Sequence, residues 1–480
     1  MGSSSDHQQA RQAPRSEAQQ LVGALIARAR AAQREYERCD QQQVDEAVVA
    51  AGWAIMEPGR NRALAELAVR DTGLGDVEDK VTKNHRKTLG LLRDLKGVKS
   101  VGVIAEYPER GIVEIARPAG VVAAITPSTN PAATPANKVI NALKCRNAVI
   151  VAPSPKGWST CNALVGYIHA ELSKLALPPD LVQCLPSPVT KETTQELMRQ
   201  ADLVVATGSQ SNIRAAYTCG TPAFGVGAGN VASIIDSSAD LAAAAAAIAA
   251  SKTFDNATSC SSENSVVIVE DVFAGAIAAL QAAGGVVLDA EQKARLQATM
   301  WPGGKLAAAI TAQKARRIAE LAGLHGERFQ SARFLMVDET GVGPDFPFSG
   351  EKLSPVLTVY RVRDFDAACA TVAAIYAFQG AGHSVGIHGT NDEHILRLGL
   401  ELPVSRVIVN QAHCFATGGA FDNGLPFSLS MGCGTWGRNN FSGNLGWRQY
   451  MNVTRISRTI AARIPTEAEI FGDYWAKRGA

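Results

Sequence analysis

The stretch "GVVAAITPSTNPAATPANKVINALKCRNAVIVAPSP", residues 120–155, decides the fold of this chain. It opens with an apolar, β-branched segment, crosses a turn rich in Pro, Ser and Asn, continues as a helical pattern and closes with a second apolar segment. Apolar strands that alternate with helices are typical of a parallel sheet covered by helices on both faces. The stretch therefore predicts an α/β fold.

The same alternation continues toward the C-terminus. Strand patterns occur in "DLVVATG" (202–208) and "VASIID" (231–236), and a helical pattern follows each of them. A second series of apolar strands is predicted at 265–270, 285–289, 357–362, 384–389 and 405–410. Two series of strands predict two α/β domains, which also suits a chain of 480 residues.

The remaining segments extend this division. Residues 17–95 show helical patterns, residues 98–126 alternate like strands around a predicted hairpin turn at 108–111, and 450–458 reads as a further strand. We expect one α/β domain from 15–100 and 118–249 and a second from 250–437. The segments 101–117 and 438–480 are expected to form a small β element with a C-terminal tail. The polar residues 1–14 lack the apolar core of a signal peptide and read as a disordered tail.

Composition narrows the classes of function. Hydrophobic residues make up 46% and charged residues 19% of the chain, as in globular proteins, and a net charge of +2 gives no reason to expect nucleic acid. The longest apolar run, residues 241–250, is too short to span a membrane. The nine cysteines form no CxxC pair and no Cys/His metal spacing, so we predict reduced thiols in the cytoplasm and no metal site.

One cysteine lies in an unusual setting. Cys260 stands in the polar stretch "FDNATSCSSENS" (254–265), directly before the apolar run "VVIV". Nucleophilic thiols need partial exposure and surroundings that stabilise the thiolate, whereas structural cysteines behave as small hydrophobes. On local sequence alone both interpretations of Cys260 stay open.

Two glycine-containing segments are less specific. The segment "FGVGAGN" (224–230) does not match the GxGxxG fingerprint and precedes a strand, so a tight loop is expected there. At 207–209 a predicted strand ends and a helix begins. The free amides of such a helix start can receive a phosphate, although an ordinary serine cap is an equal alternative.

Together, these pieces resemble the aldehyde dehydrogenase superfamily and, within it, the CoA-acylating branch. The matching segments occur in the family's order over residues 100–450 and include "VATGSQSNIRAAY", "PAFGVGAGN", "KTFDNATSCSSENSVV", "EKLSPVL", "AGHSVGIH" and "MGCGTWG". The resemblance implies two Rossmann-like α/β domains, one for a nicotinamide cofactor and one for catalysis, plus a small β oligomerisation element. It also implies a cytoplasmic homodimer or homotetramer that uses NAD or NADP and coenzyme A.

The resemblance assigns a role to each matching position. Cys260 is implied to be the nucleophile, and Asn130 the side-chain donor of an oxyanion hole that the backbone N–H of Cys260 completes. The positions implied to bind the cofactor are Thr126, Pro127, Ser154, Pro155, Lys156, Thr207, Gly208, Ser209, Gly227 and Glu351. Each has a plainer alternative, such as a turn cap or a solvated charge.

The fate of the thioester on Cys260 decides the class of enzyme. Hydrolytic members of the family carry a glutamate where this chain has Phe224-Gly225-Val226. A missing general base slows attack by water about 100- to 10,000-fold, whereas a thiol needs such help less. The sequence therefore favours coenzyme A as acceptor, in either direction of reaction. A hydrolytic enzyme that uses Glu263 and a catalytically silent homologue are the alternatives, and His383 and His413 stay unassigned.

The substrate is the least determined feature. The stretch "FDNGLPFSLSMGCGTWGRNN" (421–440) resembles acylating sulfoacetaldehyde dehydrogenases, which makes sulfoacetaldehyde the leading candidate. Succinate semialdehyde, acetaldehyde and propanal are alternatives. Arg438 falls where a guanidinium would grip a sulfonate or carboxylate, and a surface salt bridge is the competing interpretation.

Overall fold

The computed structural model describes residues 16–479, so the predicted tail at 1–14 lies outside the described residues. The helices are α1 (Glu17–Tyr36), α2 (Gln41–Met56), α3 (Pro58–Thr72), α4 (Val77–Leu95), α5 (Ala133–Lys144), α6 (Trp158–Ser173), α7 (Lys191–Gln200), α8 (Gln210–Thr218), α9 (Leu241–Thr253), α10 (Phe273–Ala282), α11 (Ala290–Met300), α12 (Ala315–Leu321), α13 (Glu327–Gln330), α14 (Phe365–Phe378), α15 (Asp392–Glu401), α16 (His413–Ala416) and α17 (Glu467–Arg478). The strands are β1 (Gly102–Tyr107), β2 (Ile112–Pro118), β3 (Val121–Thr126), β4 (Ala148–Pro153), β5 (Val182–Cys184), β6 (Leu203–Thr207), β7 (Ala223–Val226), β8 (Val231–Ile235), β9 (Glu263–Val269), β10 (Gly285–Val287), β11 (Phe334–Asp338), β12 (Val356–Val362), β13 (Val385–His388), β14 (Val407–Val409) and β15 (Met451–Ser457).

The first sheet is parallel and has the strand order β5-β4-β3-β6-β7. Every residue of β3 and β4 is buried, because helices cover both faces and a central parallel strand then has no polar side. Helices α1 and α7 pack together, and α2 packs against α5 and α6. The two apolar segments of residues 120–155 thus form β3 and β4, which are inner strands of this sheet.

The second sheet is also parallel and has the strand order β10-β11-β12-β9-β8-β13-β14. Strand β8 pairs with β9 and β13, and the helix after it, α9, packs against α10 and β9. The sequence grouped residues 231–249 with the first sheet, and the strand pairing contradicts this for β8. An apolar strand pattern shows burial, but it does not show which distant strand will be the neighbour.

The third sheet is antiparallel, with the order β1-β2-β15. The predicted turn at 108–111 joins β1 to β2, and Gly111 adopts a φ of 62° there, which favours glycine. The predicted strand near 450–458 completes the sheet as β15. The sequence missed β5, β7 and β11, and the predicted loop at 224–230 begins within β7.

No helix within residues 16–479 has the length and apolarity needed to cross a membrane.

Candidate active site

The loop between α9 and β9 presents Cys260. Three consecutive non-glycine residues before it, Asp255, Asn256 and Ala257, have φ angles of 49°, 51° and 60°. A left-handed backbone is strained in residues other than glycine and persists only where surrounding contacts stabilise it. Asp255 and Asn256 are buried, whereas Cys260 is only half-buried. The loop is therefore held in place and leaves the Cys260 side chain partly accessible to solvent.

A buried ion-pair cluster holds this loop. The Asp255 carboxylate accepts hydrogen bonds from Lys80 Nζ at 3.0 Å, Lys83 Nζ at 2.5 Å and the Thr258 hydroxyl at 2.7 Å. Its backbone N–H donates to Asp79 Oδ2 at 2.7 Å. Charge-assisted hydrogen bonds are stronger than neutral ones, which explains how the strained segment stays in place.

The same cluster orients Asn130. Lys83 Nζ donates to Asn130 Oδ1 at 2.8 Å, which fixes the oxygen of the carboxamide on the lysine side. The amide nitrogen is then left with one long contact, to Thr129 Oγ1 at 3.5 Å. Asn130 is half-buried and follows β3, at the carboxyl end of the first sheet. Its N–H group is thus a preoriented donor, as an oxyanion hole requires.

Replacing Asn130 by Ala is expected to lower kcat by about 100- to 1,000-fold, because a developing oxyanion loses one of its donors. The measurement is steady-state cofactor reduction, with the free energy of unfolding as a check that the fold is intact. A change of less than threefold would show that Asn130 does not face the reacting carbonyl.

The His383 imidazole contacts the thiol. Its Nε2 lies 3.5 Å from Cys260 Sγ, and its Nδ1 contacts Ser384 Oγ at 2.7 Å. Ser384 Oγ in turn contacts His413 Nε2 at 2.8 Å, so the sequence's two unassigned histidines belong to one buried chain of hydrogen bonds. Burial, with the charge of Arg406, lowers the pKa of His383 to about 3, which keeps the resting imidazole neutral and weakly basic.

The thiol itself is protonated in the resting site. Burial and, after it, the Glu351 carboxyl raise the pKa of Cys260 to about 12, whereas its own backbone N–H and Arg406 lower it. The proton must therefore leave as the sulfur attacks, and His383 is positioned to accept it.

Glu351 lies close to the same thiol. Its Oε1 accepts the Gly229 N–H at 3.3 Å, and a Cβ on Gly229 would lie 2.3 Å from the carbonyl oxygen of Cys260. Only glycine permits this close approach. Burial raises the pKa of Glu351 to about 8, while the Gly229 N–H lowers it. Hydroxyl donors, such as those of a ribose, would stabilise the carboxylate in this place.

A cleft of about 1010 Å³ opens at the carboxyl end of the first sheet. It is lined in part by Thr126, Ser154, Pro155 and the start of α8, where ligands of α/β sheets usually bind. Three cationic residues, Lys191, Arg214 and Arg438, also line it. Its size and positive charge fit a nucleotide with phosphates.

Other predicted cofactor positions contact neighbouring side chains. Ser209 caps α8 by accepting the Asn212 N–H at 3.4 Å, and Thr207 Oγ1 contacts Ser430 Oγ at 2.7 Å. A Cβ on Gly227 would lie 2.6 Å from the side-chain amide of Gln210, a flexible group that can move aside. Seven of the predicted positions are not among the residues that line the cleft: Pro127, Lys156, Thr207, Gly208, Ser209, Gly227 and Glu351.

Glu263 occupies the first position of β9 and has no accessible surface. Burial raises its pKa to about 7, while Ser251 and Lys252 lower it. A carboxyl group that solvent cannot reach is poorly placed to deprotonate a water molecule. No group of three or more His, Cys, Asp or Glu side chains in the described range 16–479 is arranged to hold a metal ion.

Comparison with known proteins identifies the family. A family model described as the aldehyde dehydrogenase family matches residues 3–322. The chain belongs to this family. It is 68% identical over 466 residues to a sulfoacetaldehyde dehydrogenase (acylating) of Cupriavidus necator, a match that covers 97% of this chain and 94% of that protein. A protein of the same name from Bilophila wadsworthia is 41% identical over 446 residues, 92% of this chain and 95% of that protein.

A solved structure agrees with these relatives. An acetylating aldehyde dehydrogenase from Geobacillus thermoglucosidasius is 34% identical, with a TM-score of 0.89 over 94% of this chain and 99% of that one. The α/β fold and the family predicted from the sequence are thus confirmed. The roles of individual residues stay predictions, which the geometry above makes specific.

Sequence reasoning missed the residues that support the site. It did not single out Asp255. It also missed Lys80 and Lys83, because a lysine on an amphipathic helix is usually exposed to solvent. It named His383 without a role. The sequence did contain one signal for Asp255: it is a charged residue shortly before Cys260 in the same polar loop.

Proposed function

We propose that this aldehyde dehydrogenase oxidises sulfoacetaldehyde to its acyl-CoA, with reduction of NAD or NADP, through a reversible thioester on Cys260. The observation that carries the acylating chemistry is the contact of Cys260 with a neutral His383, while Glu263, the glutamate that the sequence offered as a base, is sealed from solvent. The relatives named above, which match nearly the whole chain, support sulfoacetaldehyde as substrate.

The chain's own residues perform the acid–base and electrostatic work. As the Cys260 sulfur bonds to the aldehyde carbon, His383 Nε2 accepts the thiol proton, and Asn130 Nδ2 and the Cys260 N–H donate to the oxyanion. When bound, the nicotinamide supplies the hydride acceptor, and the cleft beside α8 with Glu351 would hold it. The acyl group then remains on sulfur as a thioester.

Transfer to coenzyme A uses the same base. His383 first releases the proton from Cys260 to solvent. The incoming thiol then attacks the thioester carbon and its proton passes to His383, and the Cys260 sulfur leaves as a thiolate that takes this proton back. Strand β7 and the loop after it, residues 223–230, carry no carboxylate that would activate water instead. The distinction between acylating and hydrolytic activity therefore depends on which nucleophile can be deprotonated here.

The test is a screen of cofactor reduction with sulfoacetaldehyde, succinate semialdehyde, acetaldehyde and propanal, with NAD or NADP and with coenzyme A present. We expect the highest kcat/KM with sulfoacetaldehyde and an acyl-CoA product identified by mass spectrometry. A higher kcat/KM with succinate semialdehyde would transfer the proposal to that substrate.

Arg438 is proposed to contact a nucleotide phosphate rather than the aldehyde. It is exposed, has a φ of 58° and lines the cleft together with Ser154 and Pro155. Replacing Arg438 by Ala is expected to raise the KM of coenzyme A or of the nicotinamide cofactor about tenfold, as for loss of one charge-assisted hydrogen bond. A selective rise in the KM of sulfoacetaldehyde relative to propanal would instead support the role predicted from the sequence.

A homo-oligomer is the proposed assembly, in the cytoplasm. Helix α17 has no buried residue, and Ile464 and Tyr474 of the C-terminal segment are 86% and 62% exposed. Apolar side chains of this size are rarely left in water over a continuous segment. All nine cysteines are free thiols, which suits a reducing compartment.

A further inference from the structure

One face of α4 carries an excess of buried positive charge. Lys80, Lys83 and Lys87 recur at a spacing of three and four residues, and each is at most 7% exposed. Buried ammonium groups are ordinarily paired, because removing a charge from water is costly. Within residues 16–479, Asp255 is the only carboxylate that forms an ion pair with any of the three. We call these lysines and the adjacent Arg86 the cationic face.

Lys87 and Arg86 retain unused donors. Lys87 Nζ donates to the carbonyl oxygens of Gly418 at 2.8 Å and Gly419 at 3.3 Å, and Arg86 Nη2 donates to the Phe415 carbonyl at 2.9 Å. An ammonium has three N–H donors, so Lys87 keeps one beyond its two carbonyl contacts, and its Nζ lies 5.4 Å from the centre of the Phe427 ring. A guanidinium has five, and that of Arg86 lies 5.0 Å from the centre of the Phe415 ring. Neither forms an ion pair with a carboxylate in the part of the chain that the structure describes. Burial lowers the pKa of Lys87 to about 7, and a bound anion would favour its charged form.

The cationic face reaches the oxyanion donor through Lys83, and Lys87 lies one helical turn farther along α4. Lys83 Nζ contacts both Asn130 Oδ1, at 2.8 Å, and Thr258 Oγ1, at 3.2 Å, two residues before Cys260. In sulfoacetaldehyde the sulfur is bonded to the carbon adjacent to the aldehyde carbon. When the carbonyl oxygen of such a substrate accepts a hydrogen bond from Asn130, its sulfonate therefore lies within a few bonds of Asn130. Lys83, which contacts Asn130, is the nearest member of the cationic face.

We propose that the cationic face binds the sulfonate of the substrate, with Lys87 and Arg86 as direct contacts and Lys83 as the positioning residue that holds Asn130. This inference rests on the proposed function. A sulfonate offers three acceptor oxygens and a charge that persists at neutral pH, which matches donors that have no carboxylate. Arg438, the residue predicted from the sequence, lies instead on the nucleotide cleft and is exposed to solvent.

The first test compares two lysines of the same segment. Lys87→Met removes the charge and keeps a flexible side chain of similar length, and Lys96→Met does the same at the exposed end of α4. We expect Lys87→Met to raise the ratio of KM for sulfoacetaldehyde to KM for propanal about 10- to 100-fold, the range for a hydrogen bond to a charged group. Lys96→Met should leave this ratio as in the wild type. An equal rise of both KM values in Lys87→Met would overturn the proposal.

The second test does not depend on turnover of sulfoacetaldehyde. Ethanesulfonate and its uncharged analogue ethanesulfonamide are compared as competitive inhibitors of propanal oxidation by the wild type and by Arg86→Gln. We expect the sulfonate to inhibit the wild type at least tenfold more strongly than the sulfonamide, and Arg86→Gln to reduce that difference. Equal inhibition by both compounds in the wild type would overturn the cationic site. If sulfonate inhibition is found but sulfoacetaldehyde is not oxidised, the proposed substrate fails while the anion site stands.

Discussion

Without coenzyme A, the enzyme is expected to reduce one equivalent of cofactor per Cys260 and then to slow by about 100- to 10,000-fold. The first turnover needs only the thiol, His383 and the oxyanion donors, all of which are present without coenzyme A. The second turnover needs water to cleave the thioester, and Glu263, the glutamate that the sequence offered as a base, is sealed from solvent. The range is that of a missing general base.

Stopped-flow absorbance of the reduced cofactor measures this burst, and mass spectrometry of the intact protein measures the acyl group on the enzyme. Addition of coenzyme A should restore steady turnover at once and remove the acyl mass. Glu263→Gln is the matched variant, because it removes the only nearby glutamate that the sequence offered as a base. Steady formation of free acid without coenzyme A, and its loss in Glu263→Gln, would contradict the acylating proposal.

Replacing Cys260 by Ala is expected to lower the rate of cofactor reduction by about 10,000-fold or more, as when a covalent nucleophile is removed. The variant loses the thioester path, because it lacks the thiol that contacts His383. Cys219→Ala is the control, since Cys219 is also a free, half-buried thiol but contacts only backbone carbonyls at the end of α8.

Two readouts check this prediction. Cofactor reduction should fall in Cys260→Ala and persist in Cys219→Ala, and the acyl mass should appear on the wild type and on Cys219→Ala after a single turnover. Binding of the nicotinamide cofactor, followed by fluorescence, should persist in both variants because the cleft lies on the first sheet. An acyl adduct on Cys260→Ala would place the nucleophile elsewhere.

Much of the architecture could be predicted from the sequence. Continuous apolar strands such as β3 and β4 identified a parallel sheet, because only strands that are covered on both faces lack a polar side. The polar surroundings of Cys260 marked it among nine cysteines, and the structure places it half-buried at the end of a strained loop. Short strands such as β5, with three residues, were missed because they are too short to show a period.

By itself, the sequence determined the family, the α/β fold and the position of the thiol, because these depend on local patterns and ordered motifs. Only the tertiary structure decided that β8 joins the second sheet, that His383 meets Cys260 across 123 residues, and that Lys83 and Lys87 face inward. The reason is physical: strand partners, base–thiol contacts and the environment of a lysine are set by segments far away in the chain. A helical pattern gives the side on which each lysine lies, but the packing of Asn130, Asp255 and Gly418 against α4 decides which side is buried.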